Sequence, residues 1–375
     1  MESLRNISAP IERLLWGVSA GRCEFEGCNK PLYRHEVTDS NDNYAEKAHI
    51  HAVNKGGARY DENIKEFRND FNNLMLVCPQ CHIAIDRDKT TYTAERLYEM
   101  KAKHEQRIYT LTNIGTDLQS HMVYYTANIA GSHLSVNDGD ARNALTAFGK
   151  YPSEDSPIDL SVKGSYLEDN EADYYTSNAS NLKRAVQSRI LDTITKGANI
   201  SLFALAPQPL LMYLGNLLND KYNVNVFQCY RRSQNKWTWQ EDKVHIEFIT
   251  DLPEHTSYTA KIALAFSLSS SIEKNRIQAV LGEDASIYSI TIATPNREFV
   301  TAPTVMDRFI YTTREVIETI KQRHGKDIEV HVFPAMPASL AVRFGMDYMT
   351  KTDNPLIIYD EAQEHGFVFA LKIGG

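Results

Sequence analysis

The sequence predicts two kinds of architecture in one chain: a small metal-stapled α+β unit, then an α/β unit built on a mostly parallel sheet. Three observations lead there. From about residue 174, continuous apolar runs alternate with helix-period segments, the pattern of strands covered on both faces. Four of the five cysteines fall in two close pairs, Cys23-x4-Cys28 and Cys78-x2-Cys81. His82 and Asp86 follow the second pair at i, i+4 spacing, on one face of a helix.

A chain of 375 residues is too long for one average core, so two domains are expected, 1–112 and 113–375. At 42% hydrophobic and 23% charged residues the composition is that of a globular protein. No apolar run approaches a membrane span, and "MESLRNISAPIERLLWG" lacks the order of a secretory signal, so the chain is expected to be cytoplasmic. An odd, sparse cysteine count argues for metal binding over a disulfide framework. Residues 1–115 carry 16 Lys and Arg against 17 Asp and Glu, net −1, which leaves −7 of the total −8 for the remainder. That balance counts against a simple DNA-binding module, which advertises excess positive charge.

Taken in order, "SAPIERLLWGVSAGRC" reads as a short helix running into the first cysteine. Residues 92–111 form an amphipathic helix with Thr93 as N-cap and Leu97, Met100, His104 and Ile108 at helical spacing. "HMVYYTANIAG" reads as a strand, and 152–171 as loop-rich. Beyond that come a helix over 181–197, a buried strand over 199–206, the helix "LLMYLGNLLND", and strands over 223–230 and 243–250. Next follow a strand over 260–269, the helix "IEKNRIQAVLG", a strand over 286–294 and a helix over 304–324. A strand over 328–336, the helix "PASLAVRFGMDYM" and a strand over 355–360 complete the pattern. Two halves, roughly 199–250 and 260–360, suggest two Rossmann-like units; no short-period repeat and no glycine-rich nucleotide fingerprint is present.

The cysteine pairs supply four soft ligands for one tetrahedral structural zinc, and Pro79 in "CPQC" suits a turn presenting both sulfurs. Four thiolates fill that ion, so His82 and Asp86 are left for a second, harder divalent ion of the magnesium class with open positions. "RYDENIKEFRND" adds Arg59, Lys65 and Arg68, either phosphate contacts or a solvated charged loop.

With "AHI", "GG" and "NLMLVCPQCHIAID" in this order, residues 20–90 resemble the HNH (His-Me finger) nucleases. The resemblance implies a ββα-metal fold clasping one catalytic ion, with His49 as general base, Asn73 fixing the loop that carries it, and His82 and Asp86 as metal ligands. Many members place a metal ligand just before the base; here Ala48 stands there, and Glu46 on the same strand face is the candidate substitute. His51, read on the face of His49, is a candidate to support the base or touch phosphate. The chemistry agrees: a neutral imidazole takes the proton of the attacking water near pH 7, with one ring nitrogen held by a backbone carbonyl or amide.

In an open α/β sheet, ligands bind at the carboxyl ends of strands. That points to "APQP" (Gln208), "SLSSS" (Ser267, Ser269), "ATPN" and "PAMPAS" (Pro334, Ala335). "YRRSQNKWTW" adds Arg231, Arg232, Trp237 and Trp239, suited to stacked bases and phosphates, or else a hairpin whose tryptophans pack on the sheet. "ALAFSLSSSI" and "HVFPAMPASLAVRFGM" make residues 120–375 resemble the SAVED domain, a fusion of two CARF-like, Rossmann-like units. An HNH nuclease followed by SAVED is the arrangement of an effector in cyclic-oligonucleotide-based antiphage signalling (CBASS). The resemblance implies a cyclic di- or oligonucleotide activator, ligand-promoted homo-oligomers and double-stranded DNA as substrate. The competing expectations are a non-catalytic zinc-stapled binding module and a constitutive restriction-type nuclease.

Overall fold

The chain folds as two units, Met1–Gly115 and Thr116–Gly375. The computed structural model describes residues 6–35, 37–129, 131–132, 134–161, 171, 173–240, 246–254, 261–362 and 366–374.

In the first unit, α1 (Ala9–Val18) starts behind a proline in its first turn and buries Leu15. Strand β1 (Glu46–His49) pairs antiparallel with β2 (Leu74–Val77), setting Glu46 opposite Val77 and His49 opposite Leu74. All four β2 residues are buried. The charged stretch between the strands is no open loop: Asp61 caps a 3-10 turn over Glu62–Phe67 by accepting from the Asn63 amide. Helix α2 (Pro79–Arg87) begins at once after β2, with Cys78 as N-cap and Pro79 in its first turn. Helix α3 (Ala94–Thr112) is capped by the Thr93 hydroxyl, which accepts from the Arg96 amide. It buries Leu97, Met100 and His104, the face the helical spacing predicts. His104 Nε2 meets the Ser19 carbonyl at 3.1 Å, and burial lowers the pKa of its ring.

The second unit opens with β3 (Gln119–Thr126), α4 (Asp138–Ala147), β4 (Tyr151–Pro152) and β5 (Ile158–Asp159). It continues through α5 (Tyr174–Val186), β6 (Asn199–Leu205), α6 (Gln208–Leu218) and β7 (Asn223–Val226). Strands β4, β5 and β6 pair parallel with β3, and β7 pairs parallel with β6, giving a five-stranded sheet. Then follow β8 (Phe248–Asp251), β9 (Ile262–Ser267), α7 (Lys274–Leu281), β10 (Ser286–Ile292) and α8 (Pro303–His324). Last come β11 (Val330–Ala335), α9 (Ala338–Asp347), β12 (Leu356–Ala362) and β13 (Gly366–Ile373). These strands form a six-stranded sheet in the order β13-β12-β11-β9-β10-β8, parallel in its centre with an antiparallel strand at each edge. The fully buried β9 and β11 lie side by side, as their unbroken apolar runs require.

Several expectations need correction. The first sheet starts at β3, well before residue 199, and residues 248–251 pair with β10 in the second sheet rather than closing the first. Residues 243–245 of that expected strand, and 162–170 of the expected loop, lie outside the described residues. The helix placed over 181–197 begins earlier, at Tyr174, and passes through a π-helical turn over Gln187–Leu191.

The two sheets share one core through α6 and α9. Each helix follows a strand, is capped by a proline (Pro207, Pro337), and carries a glycine eight residues after that proline. At those glycines the backbones touch: a Cβ on Gly215 would lie 2.1 Å from the Val342 carbonyl oxygen, and one on Gly345 would lie 1.9 Å from that of Met212. The relation spans more than a hundred residues, beyond the reach of a short-period repeat. Gly345→Ala is therefore expected to cost the second unit at least about 3 kcal/mol in chemical denaturation. Gly17→Ala, in α1 with nothing within 4 Å of the new methyl, should leave stability unchanged or slightly raised.

Candidate functional site

The hairpin and α2 hold the chemistry of the first unit. Cys23, Cys28, Cys78 and Cys81 converge from positions some fifty residues apart, and their sulfurs all lie within 4.8 Å of one another. The sulfurs of Cys28 and Cys78 are 3.9 Å apart, close to the edge of about 3.8 Å expected for a tetrahedron with 2.3 Å metal–sulfur bonds. All four are free thiols rather than disulfides. Burial, with neighbouring sulfurs adding repulsion, pushes the Cys23 thiol up to about 12 and raises Cys81 as well. Four sulfurs in so small a volume, two of them held protonated by burial, are the donor set that a soft dication such as zinc stabilises as thiolates. The Cys78 amide donates to the Cys23 sulfur at 3.3 Å, and Glu24 Oε2 accepts from the Leu76 amide at 2.6 Å, fastening the first cysteine loop to β2.

Asn73 is buried at the start of β2 and makes three bonds to the chain leaving β1 and to its own loop. Its Oδ1 accepts from the His51 amide at 2.8 Å, and its Nδ2 donates to the carbonyls of His51 and Arg68 at 3.0 and 2.8 Å. The segment following His49 is thereby clamped. His49 Nε2 lies 2.9 Å from Asn69 Oδ1, a side-chain carbonyl where a backbone group was expected. Asn69 escaped the sequence reading because it sits at no motif spacing. His51 is not on the face of His49: β1 ends at His49, and His51 turns in a bend, Nδ1 meeting the Arg59 carbonyl at 2.7 Å.

On the first turn of α2, His82 stands between two carboxylates. Its Nδ1 is 3.9 Å from Glu46 Oε2, and its Nε2 is 3.6 Å from Asp86 Oδ2. Ala48, beyond Glu46 on the same face, is buried and offers no ligand.

Two expected phosphate contacts are structural instead. Arg59 is almost wholly buried and donates to the carbonyls of Ile50 and Ile85 at 2.8 Å and of Tyr92 at 3.3 Å, with Asp86 Oδ1 3.3 Å from its last nitrogen. Burial lowers its pKa, and the Asp86 charge opposes that shift. Arg68 is buried, bonded to the Val53 carbonyl and the Tyr60 hydroxyl. The Lys65 side chain lies outside the described residues.

In the second unit, the carboxyl ends of the strands of both sheets meet through side chains. Gln208 Oε1, at the start of α6, accepts from the Met336 amide at 3.0 Å; Gln228 Oε1 accepts from the Ser339 hydroxyl at 2.6 Å. Ser339 closes the "PAMPAS" segment that the strand-end rule points to, whereas Gln228 has no signal in the sequence beyond its position just after β7. The Ser267 hydroxyl accepts from the Ile272 amide at 3.1 Å, and the Ser269 amide donates to the Ala335 carbonyl at 2.7 Å. Pro334 and Ala335 are β11 residues, Ala335 pairing with Ser267. These groups shape the rim by turn-forming bonds. Arg231 and Arg232 are exposed. Trp237 is 2% exposed and meets Phe203 edge to face at 5.3 Å, so its ring is part of the core and presents no stacking face to a ligand. Trp239 is half-buried over Phe227 at 6.1 Å. A separate cleft of about 470 Å³ opens at the amino ends of β6 and β7, lined by Lys150, Asn199, Asn223, Asn225 and Arg343.

Two parallel-centred sheets sharing a core, with glutamine and serine side chains crossing between their carboxyl ends, define an α/β domain of the double Rossmann-like kind. Residues 182–373 match the family model described as "SMODS-associated and fused to various effectors sensor domain" (SAVED), and the chain belongs to that family. Among solved structures it is similar to the Acinetobacter baumannii Cap4 SAVED/CARF-domain containing receptor with the cyclic trinucleotide 2'3'3'-cAAA, at a TM-score of 0.44 and 9% identity. That match covers 79% of this chain and 64% of the receptor, so the chain spans less than two thirds of that protein's length. The Moraxella osloensis Cap4 receptor gives a TM-score of 0.40 and 8% identity over 84% of this chain and 70% of that one. No curated protein matches the chain. Among the described residues no helix is long and apolar enough to cross a membrane.

Asn73→Ala would strand the His51 amide and two carbonyls in a buried place. It should destabilise the first unit by about 3 kcal/mol in denaturant titration while leaving the second unit unchanged. Cys78→Ser should empty the thiolate site, read as loss of about one equivalent of zinc by elemental analysis, and broaden the first unit's thermal transition.

Proposed function

We propose that this protein is a signal-gated DNA endonuclease of antiphage defence. In this reading the SAVED unit senses a cyclic di- or oligonucleotide, and the first unit is an HNH nuclease that hydrolyses double-stranded DNA. The observation that carries the reading is the run from Asn73 to Asp86. In fourteen residues it supplies the clamp on the segment after His49, two cysteines of the thiolate cluster, and a helix that carries His82 in its first turn. A structural zinc there fixes where α2 begins, and so fixes His82.

Asn69 Oδ1 as acceptor puts the imidazole proton of His49 on Nε2 and makes Nδ1 the basic nitrogen. The water oxygen forms its bond to phosphorus as a water proton passes to Nδ1. The bond from phosphorus to the leaving sugar oxygen breaks, and that oxygen takes a proton from solvent. A divalent cation of the magnesium class beside His82 would act as Lewis acid for the charge on the phosphate. Asn73 keeps the loop of His49 in register with that step.

The net charge of −8 supports gating. A chain without excess positive charge has weak basal affinity for DNA. Ligand-promoted homo-oligomers would bring several weak DNA sites together and raise their effective concentration. The sensing residues are expected at the carboxyl-end rim, with Gln208, Ser269 and the exposed Arg231 and Arg232 as first candidates.

The test incubates plasmid and Mg²⁺ with the protein and a panel of cyclic di- and trinucleotides, 2'3'3'-cAAA included, alongside His49→Ala. Cutting that requires one ligand, and that falls by at least about 100-fold in the variant, is the expected outcome. Cutting without any ligand would favour a constitutive nuclease, and no cutting under any condition a non-catalytic zinc-stapled module.

A further inference from the structure

Resting on the nuclease reading, we infer that Glu46, not Asp86, is the carboxylate that binds the catalytic cation together with His82. Asp86 acts as a positioning residue.

The two carboxylates approach different ring nitrogens of His82, Glu46 from the Nδ1 side and Asp86 from the Nε2 side. One imidazole nitrogen binds one ion, so a single cation on this ring takes one of them as co-ligand and leaves the other beside the remaining N–H. Distance does not choose between them: 3.9 and 3.6 Å both fall within the span of about 4.2 Å open to two ligands each about 2.1 Å from an ion.

Charge does choose. Asp86 is already neutralised by Arg59, and Arg59 cannot withdraw, because three backbone carbonyls from separate segments hold it. A dication at Asp86 would sit against a fixed, buried guanidinium. Glu46 has no Lys or Arg partner among the described residues, is half exposed, and stands at the outer end of β1, open to an ion entering from solvent. The ladder explains its reach: Glu46 pairs with Val77, one residue before the knuckle from which α2 springs. Asp86 Oδ2 then faces the remaining Nε2–H from 3.6 Å and holds the ring's orientation. Glu46 also fills the role left open by Ala48, from one strand step farther along the same face.

The experiment measures Mn²⁺ binding to the full, zinc-loaded chain by the electron paramagnetic resonance signal of the free ion. Mn²⁺ is a hard ion and does not compete for four thiolates. Glu46→Gln removes the ligand charge and should weaken binding by more than about 10-fold, whereas Asp86→Asn keeps an oxygen facing Nε2–H and should weaken it by less than about 5-fold. The reverse order, or equal losses in both variants, overturns the assignment. Absence of Mn²⁺ binding in the wild-type chain overturns the assignment and the cation step together. The expected split in affinities with no DNA cutting under any ligand leaves Glu46 as a metal ligand and sinks the nuclease reading alone.

Discussion

The second unit depends on a contact with no side chain in it. At Gly215 and Gly345 the backbones of α6 and α9 meet closely enough that a single methyl would strike a carbonyl oxygen. Each helix is the direct continuation of a central strand, β6 in one sheet and β11 in the other. Their approach therefore brings the carboxyl ends of both sheets together, and the bonds from Gln208 to Met336 and from Gln228 to Ser339 follow from it. A larger residue at either glycine would part the sheets at the rim where an α/β domain receives its ligand.

The first unit is held by polar clamps rather than by bulk. Its buried apolar cluster is small, centred on Leu74–Val77, Leu15, Ile85 and Leu97. Small cores need staples. Here they are the four cysteines, Asn73 and Arg59, and each joins segments that are distant in the chain. Because Arg59 reaches Ile50, Ile85 and Tyr92 at once, it fixes the end of the hairpin, α2 and the approach to α3 as one body. His49 and His82 inherit their positions from these clamps.

Features that depend on period or spacing were legible in the sequence. The buried runs of β9 and β11, the apolar face of α3 and the cysteine pairs all read directly, because burial and tetrahedral coordination impose regular patterns. Features that depend on long-range partners were not. Arg59 and Arg68 look like solvated cations until their carbonyl acceptors are visible. Trp237 looks like a stacking platform until Phe203 is seen beside it. Helix α4 is short and polar, carried by its Asn137 cap, and has no long apolar run; β13 is an edge strand that buries only Phe367, Ala370 and Ile373, a spacing of three that matches no strand period. At the site, the residue types were legible, but which carboxylate is already engaged by Arg59 was not.

The spread of the cysteines along the chain also sets an order of events during synthesis. Cys28 and Cys78 stand fifty residues apart, and bringing the ends of such a loop together costs on the order of 3–4 kcal/mol of chain entropy. A tetrathiolate zinc site supplies roughly 10 kcal/mol or more, ample for that closure, but only when all four sulfurs are present. Cys81 is the last to leave the ribosome, and His82 follows it directly. Until then the nascent segment carries three of the four thiols, His49 and Asn73, but not α2. Helix α2 and the last sulfur of the cysteine cluster are thus translated together, and no earlier fragment of the chain holds all four thiols beside His82.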